Sequence, residues 1–203
     1  MKDNLVRYFP HVLIGFHLIG LFLFIAWPEM IVLTPLNLML SGFLVFFTEQ
    51  NKKVSIAYLL IFILGFVVEL VGVQTGFLFG NYTYSNILSE GIAGVPLIIG
   101  VNWFVIVVSS VSLFIHLKIH LILKSVLAGF AAVVLDFIIE PVAIKYQFWI
   151  WENDTVPFYN YICWFVFGSL FSWLYLSFHP EKNRTAFILY FTWFVFFLIL
   201  NFI

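Results

Sequence analysis

The chain has 203 residues, of which 64% are hydrophobic and only 9% are charged, and its formal net charge is −1. Soluble domains carry about 25% charged residues, so this composition excludes a soluble globular protein and indicates lipid as the main solvent. There is no basic excess to suggest nucleic acid as a partner, and the single cysteine, Cys163, excludes an intrachain disulfide.

Seven apolar stretches have about the length of 20 residues that a helix needs to cross the hydrocarbon layer. In chain order they are 8–27, 31–48, 54–73, 97–116, 122–145, 159–178 and 185–202. The sequence therefore predicts an all-α, polytopic membrane protein of about seven transmembrane helices, in which residues 1–203 form a single transmembrane domain.

The lysines and arginines predict how these helices are oriented. With the N-terminus inside, eight of them fall in inner segments and only Lys145 falls in an outer segment, as the positive-inside rule expects. The eight are Lys2, Arg7, Lys52, Lys53, Lys118, Lys124, Lys182 and Arg184. We therefore expect a multi-pass protein of the cell inner (plasma) membrane with its N-terminus inside and its C-terminus outside.

Three acidic residues lie inside the predicted spans: Glu69 in the third span, and Asp136 and Glu140 in the fifth. Acids at this depth are costly unless they are paired, protonated or hydrated, so they are candidates for function. Asp136 and Glu140 are four residues apart and share one helix face. That face continues through small residues that allow close helix packing: Gly129, Ala132, Val133 and Ala143.

The depths of these acids predict that they meet. The third and fifth spans both run outward, which places Glu69, Asp136 and Glu140 in the outer half of the membrane, together with Asn102 and Trp103 early in the fourth span. One site can collect all of them. The alternative is that each acid only joins neighbouring helices, which is less expected for three acids at one depth.

Aromatic residues are unusually frequent, with 27 Phe, 9 Tyr and 7 Trp. Most are expected to face lipid or fill the core, and Trp27, Trp103, Trp149 and Trp151 also suit an interfacial belt. A cleft lined with such rings would accept a long, flat hydrocarbon and could stabilise a carbocation.

Two other kinds of site are disfavoured. His116 and His120 form an i,i+4 pair that could hold a metal, but the five histidines are scattered and most lie on the predicted inner side. A retinal protein is excluded because span 185–202 has no lysine for a Schiff base.

Several motifs in the middle of the chain occur in a specific order. Glu69-Leu-Val-Gly72 continues through Gly80-Asn-Tyr82-Thr-Tyr84 to Asn102-Trp103, and Asp136-Phe-Ile-Ile-Glu140-Pro141 is followed by Trp149-Ile-Trp151 and Asn160-Tyr161-Ile-Cys163-Trp164. Over roughly residues 65–165 the chain resembles the membrane carotenoid-biosynthesis family that contains the carotenoid 1,2-hydratases and bisanhydrobacterioruberin hydratases. It differs at Glu140, where the family often has Asp, and at Cys163, where it has Gly.

The resemblance implies a hydro-lyase that adds water to the terminal double bond of an acyclic carotenoid end and gives a tertiary alcohol. It implies no organic cofactor and no metal, a carotenoid and membrane lipid as partners, and it leaves a homo-oligomer open. The candidate catalytic residues are Asp136, Glu140 and Glu69. The candidate substrate-binding residues are Asn102, Trp103, Tyr82, Tyr84, Asn160, Tyr161 and Trp164.

These residues suit the chemistry, because an unactivated alkene needs a strong, positioned proton donor and the incoming water needs a base. We expect Asp136 or Glu140 to be the donor and Glu69 to be the base or the group that orients water. A carotenoid end-group cyclase would need the same protonation in a dry pocket. A non-catalytic carotenoid- or lipid-binding membrane protein would use the acids structurally, and a transporter would use them as a proton relay.

Overall fold

The computed structural model describes residues 5–49 and 51–203. Within these residues the chain forms seven helices longer than ten residues, which are joined by short helical turns and very short strands. We number the helices α1 to α7: Phe9–Ala26, Thr34–Thr48, Lys52–Thr75, Ile98–Ser112, Leu121–Lys145, Phe158–Ser177 and Arg184–Asn201. The predicted all-α class is confirmed.

Five stretches of the described chain are long and apolar enough to cross a membrane. They are Phe9–Ala26, Pro28–Thr48, Lys52–Thr75, Leu121–Lys145 and Arg184–Asn201, and they make the chain a membrane protein. Helix α4 has only 15 residues, and α6 is not among the five. The seven helices lie within a few residues of the predicted spans, but seven crossings, the orientation of the termini and the inner membrane stay predictions.

Helix α4 is the centre of the bundle. Thirteen of its fifteen residues are buried, and it packs against α2, α3, α5, α6 and α7. Because protein surrounds this helix on most sides, its length does not have to match the hydrocarbon layer. Its position brings Asn102 and Trp103, one turn into the helix, next to both α3 and α5.

Helices α5 and α6 pack closely through glycine. A Cβ added to Gly129 would lie 2.1 Å from Ser169 Oγ and 2.8 Å from the Ser169 backbone nitrogen, and one added to Gly168 would lie 3.3 Å from Ala132 Cβ. Gly129, Ala132 and Ala143 are all buried. The small-residue face predicted in the fifth span therefore packs inside the bundle, and it carries Asp136 and Glu140 inward with it.

The connections after α3 and α5 meet at one end of the bundle. Helix α3 ends at Thr75 and is capped by Gly76, whose φ of +64° is a left-handed conformation that glycine adopts without strain. The chain then enters strand β1 (Tyr82–Tyr84), which pairs antiparallel with β4 (Trp149–Trp151) in the α5–α6 connection. Strands β2 (Gly91–Ile92) and β3 (Val95–Pro96) form a separate small hairpin before α4.

Candidate active site

Glu69 is a buried acceptor near the end of α3, with 4% of its surface exposed. Its Oε2 accepts hydrogen bonds from the phenol groups of Tyr82 and Tyr84, the latter at 2.8 Å, and its Oε1 accepts the indole N–H of Trp103 at 2.9 Å. A carboxylate offers about four lone-pair positions, so these three donors leave one position for another molecule.

Two glycines on the same face of α3 make room for these donors. A Cβ on Gly65 would lie 2.4 Å from Trp103 Cβ, and a Cβ on Gly72 would lie 2.9 Å from Phe79 Cδ2 and 3.3 Å from the Tyr82 hydroxyl oxygen. These glycines lie four residues before and three residues after Glu69, which is the spacing of one helix face. Their lack of a side chain lets Trp103 and Tyr82 reach the carboxyl.

Glu140 on α5 is the second buried acceptor, with 2% of its surface exposed. Its Oε2 accepts the indole N–H groups of Trp149 at 3.0 Å and of Trp151 at 2.9 Å. Trp103 and Trp151 were expected to suit an interfacial belt, but both are buried in the protein. They are donors to carboxyls, because an indole N–H enclosed by protein needs an acceptor.

Asn160 on α6 joins the two acids of α5. Its Nδ2 donates to Asp136 Oδ2 at 2.8 Å and, more weakly, to Glu140 Oε1 at 3.4 Å. The close α5–α6 packing makes this reach possible. Asp136 Oδ1 forms no hydrogen bond with any residue that the structure describes, which makes Asp136 the acid with an oxygen free for a bound molecule.

The β1–β4 pairing sets the positions of four donors at once. Neighbouring residues on a strand point to opposite faces, so Tyr82 and Tyr84 point to one side, and Trp149 and Trp151 point to that same side from the partner strand. Tyr82 lies opposite Trp151 with ring centres 4.8 Å apart. The tyrosines bind Glu69 and the tryptophans bind Glu140, so this small sheet connects α3 and α5.

Both phenols of β1 are donors at physiological pH. Burial, reinforced by the nearby charge of Glu69, raises the pKa of Tyr82 and the pKa of Tyr84 well above the ordinary value of about 10. Both hydroxyl groups therefore keep their protons and donate hydrogen bonds to the carboxyl that they share.

The three carboxyls line one cavity of about 20 Å³. A water molecule needs roughly 10–15 Å³, so this space holds about one water and is far too small for a carotenoid end group. The other lining residues are Phe79, Tyr82, Tyr84, Ile99, Asn102, Trp149, Trp151, Asn160 and Trp164. Carboxyl, phenol, indole and amide groups together give a water in this cavity several hydrogen-bond partners.

An aromatic pair and a free amide complete the cavity. Trp164 lines it and stacks on Trp103 with ring centres 4.1 Å apart and planes 12° from parallel. The side chain of Asn102 also lines it and makes no hydrogen bond with the rest of the described chain. An aromatic face and an unused amide therefore border the same space as the acids.

The structure brings most of the sequence-predicted site residues together. Eight line the cavity: Glu69, Asp136, Glu140, Asn102, Tyr82, Tyr84, Asn160 and Trp164. Trp103 does not line the cavity but donates a hydrogen bond to Glu69. Tyr161 does not line the cavity, and its ring packs on Phe137, a side chain that is 62% exposed at the surface of the α5–α6 pair.

Two residues of the site were missed as site residues. Trp149 and Trp151 donate to Glu140, yet their sequence context suggested only an interfacial position. The alternation Trp-Ile-Trp has the period of a strand, but three residues are too few for that period to predict two tryptophans on one face. The pairing partner, Tyr-Thr-Tyr, shows the same alternation 67 positions earlier, from Tyr82 to Tyr84.

The comparisons with known proteins agree with one another. The family model described as "Carotenoid biosynthesis protein" matches residues 28–203. The chain is also similar to the bisanhydrobacterioruberin hydratase of Haloarcula japonica, with 29% identity over 137 residues, or 61% of this chain and 45% of the relative. The match thus spans less than half of that relative's length. No solved structure matches the chain. Because the family model covers most of the sequence, the chain belongs to the carotenoid biosynthesis protein family.

Proposed function

We propose that the chain is a carotenoid hydratase, a hydro-lyase that adds water to the terminal double bond of an acyclic carotenoid end group and leaves a tertiary alcohol. Membership of a carotenoid biosynthesis family supports a carotenoid substrate, and the relative from Haloarcula japonica is named a hydratase. The observation that carries the proposal is the water-sized cavity lined by Glu69, Asp136 and Glu140.

The first requirement is an acid that can protonate an alkene. All hydrogen-bond partners that the described residues offer to the three carboxyls are neutral Tyr, Trp and Asn side chains. Ionising all three in a buried site without a cation is unfavourable, so the Asp136–Glu140 pair is expected to hold a proton. We assign the donor to Asp136, because its Oδ1 has no hydrogen-bond partner among the described residues.

The protonation step leaves a cation that the site can stabilise. The electron pair of the double bond takes the proton of Asp136 at the less substituted carbon, which leaves an aspartate and a tertiary carbocation. The stacked rings of Trp103 and Trp164 offer an aromatic face near the cavity. Together with the carboxylates, this face can stabilise a positive charge at that position.

The second requirement is a base for the incoming water. The water oxygen bonds to the cation, and one of the water protons passes to a carboxylate. Glu69 is the candidate for this base, because its three hydrogen-bond donors leave one lone-pair position of the carboxylate open. Transfer of this proton back to Asp136 through the cluster restores the starting state. The net change is one H and one OH added to the alkene.

A carotenoid cyclase needs the same acid but must keep water away from the cation. The cavity here has polar groups on several sides, including the unused amide of Asn102 and the free oxygen of Asp136. Such a lining retains water beside the cation, which favours hydration over ring closure. Ring closure on the cation would require a drier space than these residues provide.

Expression in a lycopene-producing bacterium tests the proposal. We expect pigments that are more polar than lycopene and heavier by one water for each modified end, and only lycopene with an empty vector. A pigment of unchanged mass with a cyclic end would replace this proposal with the cyclase. Unmodified lycopene that remains bound to the purified protein would indicate a non-catalytic binding protein.

A further inference from the structure

A second and larger cavity lies beside the acid site. It has a volume of about 150 Å³ and is lined from α1, α2, α4, α5 and α7, and we call it the α1–α2–α7 cavity after the helices that supply most of its wall. Three residues line both this cavity and the acid cavity: Ile99, Asn102 and Trp149. The two spaces are therefore neighbours with a common wall.

The two cavities differ in what they can hold. About 20 Å³ takes a single water, whereas a cavity of about 150 Å³ with an apolar wall takes a group of the size of benzene. A terminal isoprene unit is a branched five-carbon group of similar size. The water and the alkene of a hydration reaction thus each have a space that fits them, on either side of Asn102.

The rim of the α1–α2–α7 cavity reaches the lipid-facing surface. Ile19 of α1 is 58% exposed and Leu36 of α2 is 56% exposed, and both line the cavity. A carotenoid is dissolved in the bilayer and is much longer than the cavity. Entry from the side, between α1 and α2, lets one end enter while the rest of the polyene stays in lipid.

We propose that the α1–α2–α7 cavity holds the terminal isoprene unit of an acyclic carotenoid, which enters from the lipid between α1 and α2 and presents its double bond to the acids past Asn102. The identity of this ligand rests on the proposed function. The site itself rests on its position beside the carboxyls, its volume and its lipid-facing rim.

Filling the cavity from Gly20 tests the proposal. Gly20 lines the cavity, and a Cβ there would make only ordinary contacts, at 3.7 Å to Asn37 Nδ2 and 3.8 Å to Phe196 Cε2, so the rest of a leucine would extend into the space. Gly15 on the same helix has nothing within 4 Å of an added Cβ and does not line the cavity. Gly15→Leu is therefore the matched control for Gly20→Leu.

The variants are purified in detergent from lycopene-producing cells, and bound carotenoid, which is lycopene plus any hydrated product, is measured by absorbance per protein. We expect the wild type, Gly15→Leu and Asp136→Asn to retain carotenoid, and Gly20→Leu to retain about tenfold less, because overfilling a packed space excludes its occupant. If Gly20→Leu is poorly folded, Gly20→Ala serves in its place and should lower bound carotenoid by about twofold.

Each outcome separates this inference from the proposed function. Equal bound carotenoid in Gly20→Leu and Gly15→Leu, or no bound carotenoid in Asp136→Asn, overturns the inference even if the wild type makes hydrated pigment. Loss of bound carotenoid in Gly20→Leu alone supports the inference even if the wild type makes no hydrated pigment, in which case only the proposed function fails.

Discussion

Tyr82 and Trp151 lie directly opposite each other in the β1–β4 pair, and each donates a hydrogen bond to a different carboxyl, Glu69 for the tyrosine and Glu140 for the tryptophan. Two acids from two helices are thus held by one cross-strand contact. The site is assembled by the connections at the end of the bundle as much as by the helices that carry the acids.

This relationship predicts the effect of removing either donor. Tyr82→Phe and Trp151→Phe keep an aromatic ring but remove the hydrogen bond, and loss of a donor to a buried carboxyl costs about 1–3 kcal/mol. We expect each variant to form hydrated carotenoid roughly tenfold more slowly. The rate is measured with isolated membranes and a fixed amount of protein.

Thr83→Val is the control for these two variants. Thr83 lies between the two tyrosines on the opposite, exposed face of β1, so its substitution should leave the rate unchanged. Wild-type rates for both Tyr82→Phe and Trp151→Phe would show that the sheet does not position the acids.

The amide variants of the three acids test their roles in catalysis. Asp136→Asn and Glu140→Gln keep the shape of the side chain but cannot supply a proton, and general acid catalysis contributes about 100-fold or more. We expect Asp136→Asn, which removes the assigned donor, to lose hydration by about that factor, and Glu140→Gln and Glu69→Gln to lose less. Mass analysis of the pigments from cells that carry each variant measures the loss.

Glu90→Gln is the matched control for the amide series, because Glu90 is an exposed acid in the α3–α4 connection. It should hydrate lycopene as the wild type does. Wild-type amounts of hydroxylated carotenoid from all three amide variants would show that the acids are structural.

Much of this arrangement could be predicted from the sequence, and the missing part has a physical reason. Apolar length and the i,i+4 spacing of Asp136 and Glu140 were enough to place the helices and one acidic face. The partners of Glu140 come from a three-residue strand, which is too short for a periodicity signal to separate it from an interfacial loop. Tyr161 was included as part of the motif that carries the family resemblance, but it follows Asn160 directly, and neighbours on a helix face different directions.

The close packing of α5 and α6 predicts a loss of stability at Gly129. In Gly129→Ala the new Cβ would lie 2.8 Å from the Ser169 backbone nitrogen, so the helices must move apart. Such overpacking costs about 1–3 kcal/mol. We expect a lower Tm in detergent, measured by thermal unfolding.

Gly15→Ala controls for helix propensity, since its added Cβ meets no atom within 4 Å and alanine favours a helix. Its Tm should equal or exceed that of the wild type. A Tm for Gly129→Ala that matches Gly15→Ala would mean that α5 and α6 are not in close contact.

The distribution of lysine and arginine predicts an odd number of crossings. If the seven helices all cross the membrane with the N-terminus inside, a reporter joined after Ile203 lies outside. We expect activity from a reporter that works only in the periplasm and none from one that works only in the cytoplasm. The opposite pattern would contradict the predicted seven-span topology.

Isotope labelling tests the order of bond formation in the proposed reaction. Protonation of the alkene by Asp136 followed by water attack puts one solvent hydrogen on carbon and one solvent oxygen in the hydroxyl group. Membranes incubated with lycopene in deuterated water should therefore give a product with one deuterium on carbon per hydrated end, and ¹⁸O-labelled water should label every new hydroxyl. Asp136→Asn should reduce both labels in parallel, because both depend on the same cation. Oxygen taken from O₂, or a hydroxylated product without deuterium on carbon, would exclude acid-catalysed hydration and require an oxidation in its place.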